Sequence, residues 1–271
     1  MTASLGRTLR NFSPKMIPFL AIDGIFYFTR TPFDLVDITS HMPANIYDVR
    51  NIDGLRLGTR LFRDLTVRDE MDGEAFLRIK PEEGDTVFDV GANIGTYTLR
   101  YARIVGPQGR VVAFEPVPDN RRILSWNVNL NNLQNVTVRS EALGDFDGKA
   151  RLNLSHGPSA ESFIVEVRKS GEIEVQVATL DSLKLDRLDL VKIDVEGAEL
   201  SVLRGAKSTL KNLRPRMQIE VHAHHDEICP VCNWLTDLEY STRLIHQKTI
   251  GTKYQKRYEI SQIHWVDAFA S

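Results

Sequence analysis

A glycine-rich run in the first half of the chain contains residue types that can hold a nucleotide-like ligand. The run Asp89 to Gly95 (DVGANIG) follows an apolar stretch and precedes a helical pattern. Because glycine lacks a Cβ, Gly91 and Gly95 allow a sharp turn and a close approach of the backbone to a ligand. The helix that follows would present free N–H groups in its first turn, as in dinucleotide-binding enzymes. The run therefore predicts a strand, a ligand-binding turn and a helix.

Two polar residues of this run favour a cationic ligand over a dinucleotide. Asn93 stands where the dinucleotide fingerprint has its second glycine, and its side chain blocks the closest backbone approach. Asp89 ends the predicted strand, and we expect its carboxylate to point into the ligand space. A carboxylate repels pyrophosphate but suits the amino group of a methionine-bearing, positively charged ligand. The run is therefore a poor match for a nicotinamide site.

A further acidic residue follows the next predicted strand. Glu115, followed by Pro116, comes directly after Arg110 to Phe114. It lies about 20 residues beyond the glycine turn, the distance at which an acidic side chain accepts hydrogen bonds from ribose hydroxyls. Together, the turn and Glu115 predict an adenosine-containing ligand.

Charged residues also stand at the ends of two later strands. Lys192 and Asp194 share one strand face, and Glu220 and His222 share a face of the next strand. Because an unpaired buried ammonium is costly, we expect Lys192 to pair with Asp194 or Glu220. Such a pair could be purely structural. In the functional interpretation, Asp194 or Glu196 orients an acceptor or acts as its base, with His222 as the alternative base.

A group of histidines and cysteines resembles a zinc-binding pattern. It consists of His222, His224, His225, Cys229 and Cys232. A second well-spaced pair is missing, and the two cysteines fall on one face of a predicted helix, where thiols behave as small apolar groups. We therefore predict no zinc site here. Magnesium held by Asp194 and Glu220 is compatible with the sequence but is not required by it.

From Pro81 onward, short apolar runs alternate with helical patterns, which predicts βαβ units on a parallel sheet. The predicted strands are Thr86 to Val90, Arg110 to Phe114, Val136 to Arg139, Leu188 to Asp194, Met217 to Val221, Arg243 to Gln247 and Ile263 to Asp267. The predicted helices are Thr96 to Val105, Asp119 (as N-cap) to Asn131, Ala198 to Leu213 and Cys229 to Leu238.

Two segments depart from this alternation. Residues 1–80 lack a clean period and predict an N-terminal cap of helices and a small hairpin that turns at Asp53 and Gly54. The ligand-binding domain is then 81–271. Within it, residues 150–178 have the pattern of β-structure and loop. This insertion lies near the carboxyl edge of the predicted sheet, so we expect a substrate lid.

Composition limits the partners and the compartment. The chain has 271 residues, of which 34 are basic and 36 acidic, for a formal net charge of -2. A protein that binds nucleic acid by its phosphates usually has a basic excess, so no nucleic-acid partner is expected. The two cysteines indicate a reducing compartment, and we expect a cytoplasmic location. The apolar run Met16 to Phe28 is shorter than the roughly 20 residues that a membrane span needs.

Five runs in order resemble one family. DVGANIGTYT, VVAFEPVPDN, NVTVRSEALGD, TLDSL and LVKIDVEGAELSVLRGA follow one another between about Pro81 and His222 and resemble the FkbM-type family of S-adenosylmethionine (SAM)-dependent methyltransferases. The resemblance implies the class I methyltransferase fold. This is an α/β, Rossmann-like, mostly parallel seven-stranded sheet with helices on both faces and an antiparallel last strand. It also implies SAM as cofactor, S-adenosylhomocysteine as product, and methyl transfer to oxygen on a sugar or polyketide-like acceptor.

The same resemblance implies where the cofactor binds. Asp89, Gly91, Asn93 and Gly95 would hold the methionine part, Glu115 the ribose, and Glu141 and Ala142 would lie near the adenine. The full predicted set of cofactor residues is Asp89, Gly91, Ala92, Asn93, Gly95, Glu115, Pro116, Glu141, Ala142 and Asp194. The candidate catalytic residues are Asp194, Glu196, Lys192, Glu220 and His222.

The sequence leaves several alternatives open. The expected function is O-methylation of a small molecule or glycan. An RNA methyltransferase, a nicotinamide-dependent oxidoreductase and a non-catalytic SAM-binding module are the competing functions. The oligomeric state is open, with a homodimer among the alternatives.

Overall fold

The computed structural model describes residues 47–52, 54–60, 79–153, 172–223, 230–246 and 262–270. Within these ranges the chain forms a two-stranded hairpin, a seven-stranded sheet and a three-stranded sheet. The hairpin consists of β1 (Tyr47–Ile52) and β2 (Leu55–Arg60), which pair in antiparallel fashion. Gly54 has a φ of 79°, a left-handed conformation that glycine adopts without strain. The predicted hairpin is confirmed; the predicted cap helices lie outside the described residues.

The remaining elements alternate as the sequence predicts. In chain order they are β3 (Thr86–Val90), α1 (Thr96–Val105), β4 (Arg110–Phe114), α2 (Pro118–Leu130), β5 (Val136–Arg139), β6 (Ala142–Leu143), β7 (Gly148–Asn153), β8 (Glu172–Ala178), a 3₁₀ turn (Asp181–Leu183), β9 (Leu190–Ile193), α3 (Glu199–Arg204), α4 (Lys207–Leu213), β10 (Arg216–Ala223), α5 (Pro230–Asp237), β11 (Tyr240–His246) and β12 (Gln262–Ala270).

The large sheet has the order β11-β12-β10-β9-β3-β4-β5. The neighbours from β10 to β5 pair in parallel, whereas β12 is antiparallel to both β10 and β11. The mostly parallel seven-stranded sheet with an antiparallel last strand is therefore confirmed. The chain runs from β3 outward through β4 to β5 and then returns to β9 on the other side of β3. In open α/β sheets, ligands bind outside the carboxyl ends of the strands at such a switch point.

Helices cover both faces of this sheet. Phe88 and Val90 of β3 pack in one core cluster with Leu203 and Leu235, which belong to α3 and α5. Val87, on the opposite face of β3, packs in a cluster with residues of α1. Successive strand residues point to opposite faces, so each face of β3 contacts its own layer of helices. The predicted arrangement with helices on both faces is confirmed.

Three predicted details of the elements are wrong. The N-cap of α2 is Val117, with Pro118 in the first helical turn, so Asp119 lies inside that turn and is not its cap. The fixed φ of proline suits the start of a helix, which explains the shift. The strand predicted from Leu188 is shorter, because β9 begins at Leu190. The single helix predicted from Ala198 to Leu213 is two helices, α3 and α4.

A close backbone contact and a distant cap explain the break between α3 and α4. A Cβ on Gly205 would lie 1.8 Å from the carbonyl oxygen of Gly144, so the two backbones touch where α3 ends. The Asp181 carboxylate then accepts hydrogen bonds from the backbone N–H groups of Ser208 (2.9 Å) and Thr209 (2.7 Å). These bonds satisfy free N–H groups in the first turn of α4, and they lower the pKa of Asp181 even though burial opposes this.

Replacing Gly205 by alanine is expected to lower the free energy of unfolding by about 1–3 kcal/mol. Alanine is the better helix former by about 0.5–1 kcal/mol, but the backbone collision with Gly144 is the larger effect because no rotamer can relieve it. Urea denaturation measures the change, with the exposed α4 position Lys211→Ala as the control that stays near wild type. An equally stable or more stable Gly205→Ala protein would contradict the close packing of these two segments.

Candidate active site

A cleft lies at the carboxyl edge of β3, β4 and β9, at the switch point of the sheet. On one side it is lined by Val90, Gly91, Asn93, Phe114, Glu115, Pro116, Val117, Asn120, Glu141 and Ala142. On the other side it is lined by Asp194, Val195, Glu196, Ala198 and Ser201. Among its described lining residues there are four carboxylates and one basic residue, Arg151. We call it the acidic cleft, and its charge suits a cationic ligand better than a polyphosphate.

The turn after β3 has a backbone that only glycine can adopt at one position. Gly91 has a φ of 78°, and a Cβ there would lie 1.8 Å from the carbonyl oxygen of Asp194. The N–H groups of Gly91 and Ala92 both donate to the carbonyl oxygen of Phe114 at 3.0 Å. The turn is therefore held between the ends of β4 and β9, with no room for a side chain at Gly91.

Asn93 offers an unsatisfied group to the cleft. It adopts a left-handed φ of 50°, a conformation that asparagine tolerates better than most residues. Its side-chain Oδ1 is buried and accepts no hydrogen bond from the described part of the chain. Buried polar atoms are nearly always paired, so this oxygen fits a ligand that supplies a donor. Ala92 and Gly95 do not line the cleft, and they contribute to the shape of the turn.

Glu115 connects the turn after β3 to the turn after β4. Its Oε2 accepts a hydrogen bond from the N–H of Asn93 at 2.8 Å, and its Oε1 accepts one from the N–H of Val117 at 2.9 Å. The side chain of Asn120 also donates to Oε1 at 3.3 Å. Burial raises the pKa of Glu115 to about 7, despite these hydrogen bonds. Because Oε2 accepts only the one bond described, it keeps a further acceptor site for a ligand hydroxyl.

Asp89 occupies a different place from the one expected. The prediction that its carboxylate points into the ligand space is wrong, because the residue is 0% exposed and is not part of the cleft lining. Its side chain lies on the α1 face of the sheet, where the hydroxyl of Thr98 donates to Oδ2 at 2.5 Å. Oδ1 lies 3.6 Å from the Nζ of Lys192, its register partner on β9. Any effect of Asp89 on a ligand in the cleft is therefore indirect.

Lys192 is the centre of a buried charge network. Its Nζ lies 3.1 Å from Oδ2 of Asp194 and donates to the carbonyl oxygen of Gly91 at 3.3 Å. It also lies 4.8 Å from the centroid of the Tyr97 ring, a cation–π contact. Pairing with Asp194 was one of the two expected alternatives; the second partner, Asp89, was not foreseen.

The carboxylates keep Lys192 protonated. Burial alone would lower the pKa of this lysine, but the negative charges of Asp194 and Asp89 raise it well above its ordinary value. Glu220 contributes to the same rise with a smaller effect. For Asp89, burial raises the pKa, and the charge of Lys192 opposes that rise. The buried, charged ammonium of Lys192 thus contacts Asp194, which lines the cleft, although Lys192 itself is not among the lining residues.

The remaining candidate catalytic residues fall in three positions. Asp194 and Glu196 both line the acidic cleft, and Glu196 has a left-handed φ of 53° in the turn that follows β9. Glu220 is half-buried on β10 and is not among the lining residues. His222 belongs to β10, but its side chain lies outside the described part of the structure.

Glu141 and Ala142, which the family resemblance places near an adenine, line the cleft beside an ion pair and the small sheet. Glu141 forms a salt bridge with Arg139, whose hydrogen bonds lower the pKa of the carboxyl. Ala142 belongs to β6, which pairs with β8 in the three-stranded sheet β6-β8-β7. Pro116 lines the same cleft.

The sequence predicts a substrate lid at residues 150–178 but does not identify which side chains of the small sheet line the cleft. Apolar side chains of this region line the cleft, namely Phe146, Ala150, Leu152, Val175 and Val177. Their alternation along β7 and β8 is the signal that could have identified them. The expected lid corresponds to these strands, whereas its centre, residues 154–171, lies outside the described residues.

In the described part of the chain, no three histidine, cysteine or carboxylate side chains are arranged to hold a metal ion. His224, His225 and Cys229 lie outside that part, so the prediction about zinc is not tested. None of the described helices has the length and apolarity needed to cross a membrane.

The sheet order and the cleft at its switch point define a Rossmann-like protein of the class I methyltransferase type. The family model of the methyltransferase FkbM domain matches residues 89–244, which is more than half of the chain. The chain therefore belongs to the FkbM methyltransferase family, and it is a methyltransferase. The family resemblance seen in the sequence motifs is confirmed.

Relatives of known name share this domain. The chain is 29% identical over 188 residues to the hexuronic acid methyltransferase AglP of Haloferax volcanii, covering 68% of this chain and 75% of that protein. It is 32% identical over 157 residues to the 31-O-demethyl-FK506 methyltransferase FkbM of Streptomyces tacrolimicus, covering 46% of this chain and 60% of that protein. The match thus spans less than two thirds of the second relative.

A solved structure shows the same fold. The crystal structure of methyltransferase FkbM from Methylobacillus flagellatus superposes with a TM-score of 0.50 at 18% identity. The superposition covers 77% of this chain and 48% of that chain. At this identity the likeness concerns the fold alone.

Proposed function

We propose that the chain is a SAM-dependent O-methyltransferase that acts on a hydroxyl group of a small molecule or glycan. The observation that carries the proposal is the acidic cleft, in which Asn93 and Glu115 face Asp194 and Glu196 across the switch point of the sheet. Lys192 and Arg139 already pair with two of the four lining carboxylates, Asp194 and Glu141. The remaining acidic lining still favours a sulfonium or an ammonium group over the phosphates of RNA or a dinucleotide.

The residues present fit SAM. Glu115 keeps an acceptor site for ribose hydroxyls, and the buried Oδ1 of Asn93 needs a donor, such as the ammonium of a methionine group. Gly91 lines the cleft, and its lack of a side chain lets the turn pack directly against the backbone of Asp194 on the other side. Glu141 and Ala142 are the candidates for the adenine end. A bound SAM supplies an electrophilic methyl group on sulfur.

We propose that the acceptor binds on the side of the cleft that is formed by the residues after β9. Oδ2 of Asp194 is held by Lys192 and the carboxylate lines the cleft, so Asp194 can accept a hydrogen bond from an acceptor hydroxyl and fix its direction. Correct alignment of a nucleophile contributes a large part of a displacement rate. The hydroxyl proton must also leave, and Asp194, Glu196 and His222 are the candidates for its base.

The acceptor class is supported by the relatives and by charge. One relative is named for a hexuronic acid and another for 31-O-demethyl-FK506. With a formal net charge of -2, the chain lacks the basic excess that is usual for a protein that binds nucleic acid by its phosphates. We infer a small-molecule or glycan acceptor and, from the low cysteine content, a cytoplasmic location.

A transfer assay tests the proposal. The full chain is incubated with methyl-labelled SAM and a panel of sugars, uronic acids, polyketide alcohols and RNA, and products are identified by their mass shift. Transfer to a hydroxyl of a sugar or polyketide supports the proposal, and the same assay with EDTA shows whether magnesium is needed. Transfer to RNA alone, or SAM binding with no transfer to any acceptor, would contradict it.

SAM affinity is expected to rise with pH through neutrality. The pKa of Glu115 is raised to about 7, so the carboxyl is protonated below that pH and ionised above it. The ionised carboxylate accepts a ribose hydroxyl at Oε2 more strongly than the protonated carboxyl does, because the protonated form is neutral and carries a hydrogen on one of its oxygens. Binding below pH 7 must therefore expel a proton, and the dissociation constant should rise by up to about tenfold per pH unit on acidification.

Calorimetric titration with S-adenosylhomocysteine between about pH 6 and 8 measures this dependence, because that range brackets the raised pKa of Glu115. Glu115→Gln removes the titrating group and serves as the control, with weaker binding and a flat pH profile. A wild-type profile as flat as that of the variant would contradict the loss of a proton from Glu115 on binding.

A further inference from the structure

The N-terminal hairpin is attached to α2 by two asparagine side chains that act in place of a neighbouring strand. The amide of Asn127 accepts a hydrogen bond from the N–H of Gly58 at 2.7 Å and donates to the carbonyl oxygen of Gly58 at 3.1 Å. The amide of Asn131 does the same with Arg56, at 2.8 Å and 2.6 Å.

The spacing of these contacts explains why they fit. The asparagines are four apart on a helix and so share one face, and Arg56 and Gly58 are two apart on β2 and so share one edge. Gly58 is needed for this approach, because a Cβ there would lie 2.0 Å from the Trp126 ring. The backbone groups on this edge of β2 are thus satisfied by α2.

Only one of the two asparagines also contacts the turn after β3, residues 91–95, which we call the cofactor turn. The Nδ2 of Asn127 donates to the carbonyl oxygen of Ile94 at 2.8 Å, and Asn127 is 0% exposed. Ile94 directly follows Asn93, whose N–H binds Glu115. The Nδ2 of Asn131 instead donates to the carbonyl oxygen of Asn127 within the helix.

Apolar packing makes the same connection. Leu55 and Leu57 of β2 belong to one buried cluster with Ile94 of the turn and with Leu124 of α2. A movement of the turn therefore changes both the hydrogen bonds and the packing of the hairpin.

We propose that Asn127 is a positioning residue that couples the cofactor turn to the N-terminal hairpin. It holds Ile94 so that Asn93 and Glu115 face the cleft, and cofactor binding in turn stabilises the docked hairpin. The coupling is reciprocal, as linkage between two sites requires. This inference rests on the proposed SAM site.

The pair of asparagines provides a matched test. In the full chain, Asn127→Ala and Asn131→Ala each remove one hairpin contact, but only Asn127→Ala also removes the bond to Ile94. We expect the dissociation constant of S-adenosylhomocysteine to rise about tenfold or more in Asn127→Ala and less than about threefold in Asn131→Ala, because a buried carbonyl loses its donor only in the first.

Hydrogen exchange gives a readout that a purely structural role would not change. Binding of S-adenosylhomocysteine should slow amide exchange in residues 54–60 of the wild-type chain and of Asn131→Ala, but not of Asn127→Ala. If Asn127→Ala does not fold, Gly58→Ala is used to weaken the contact between the hairpin and α2, because the added Cβ collides with the Trp126 ring. The hydrogen bond from Asn127 to Ile94 stays in place in this variant. That variant should lose the exchange response, and it should lose affinity only by the factor by which the ligand slows exchange of residues 54–60 in the wild-type chain, since linkage makes the two effects equal.

The outcomes separate the two proposals. Equal affinity losses in the two asparagine variants, or no exchange response of residues 54–60 in a wild-type chain that binds the ligand, would overturn the coupling alone. A wild-type chain that binds neither SAM nor S-adenosylhomocysteine would overturn the proposed function and the coupling with it.

Discussion

Replacing Asp194 by asparagine is expected to lower turnover by about 10²- to 10⁴-fold, whether the carboxylate orients the acceptor or removes its proton. Asparagine has nearly the same shape and keeps one acceptor oxygen for Lys192, so the floor of the cleft should stay folded. The dissociation constant of SAM should change much less, because Asn93 and Glu115 on the other side are untouched.

Two further variants make this result specific. Asp145→Asn makes the same chemical change at an exposed position outside the cleft lining and should keep full turnover. Glu196→Gln tests the second carboxylate of the turn, which lines the cleft beside Asp194. Single-turnover rates and SAM titrations give the two quantities for each protein. Unchanged turnover in Asp194→Asn would remove Asp194 from the reaction, and a large loss in Glu196→Gln would then assign the role to Glu196.

Replacing Lys192 by methionine is expected to lower the free energy of unfolding by about 3–5 kcal/mol, the usual cost of removing one partner of a buried ion pair. Methionine fills most of the space of the lysine stem but leaves Asp89, which is 0% exposed, without a cation. Turnover should fall as well, because Asp194 loses the group that holds its Oδ2. Urea denaturation measures the stability, and single-turnover kinetics measures the rate.

An exposed pair on the small sheet gives the matched control for this change. Lys149 lies 2.7 Å from Glu174, but both side chains are more than half exposed. Water already screens such a pair, so Lys149→Met should leave stability almost unchanged. Adding Asp89→Asn to Lys192→Met should recover part of the lost stability, since the stranded charge is then gone. No recovery in the double variant would show that packing, and not charge, stabilises this site.

The parts of the fold that could be predicted from the sequence are those specified by local patterns. The strand ending at Val90, the turn through Gly91 and the helix from Thr96 follow from apolar runs, glycines and helical periodicity within a few residues. The acidic residue after β4 is also a local signal. Glu115 and Asp194, one on each side of the cleft, could therefore be predicted from the sequence.

The features that were missed depend on contacts between distant parts of the chain. The direction of Asp89 is set by its register with Lys192 on β9 and by Thr98 on α1, and no local pattern contains that pairing. The break before α4 depends on Gly144 and Asp181 in the same way. Asn127 gave a usable signal, because a polar residue among the apolar positions of α2 requires buried partners.

The central claim is that the acidic cleft binds SAM. Calorimetric titration of the full chain with S-adenosylhomocysteine, with NAD titrated in parallel, tests it most directly. The account predicts stoichiometric binding of S-adenosylhomocysteine that weakens in Glu115→Gln, and no binding of NAD. Binding of NAD in preference to S-adenosylhomocysteine, or binding of S-adenosylhomocysteine that is the same in wild type and Glu115→Gln at every pH, would contradict it.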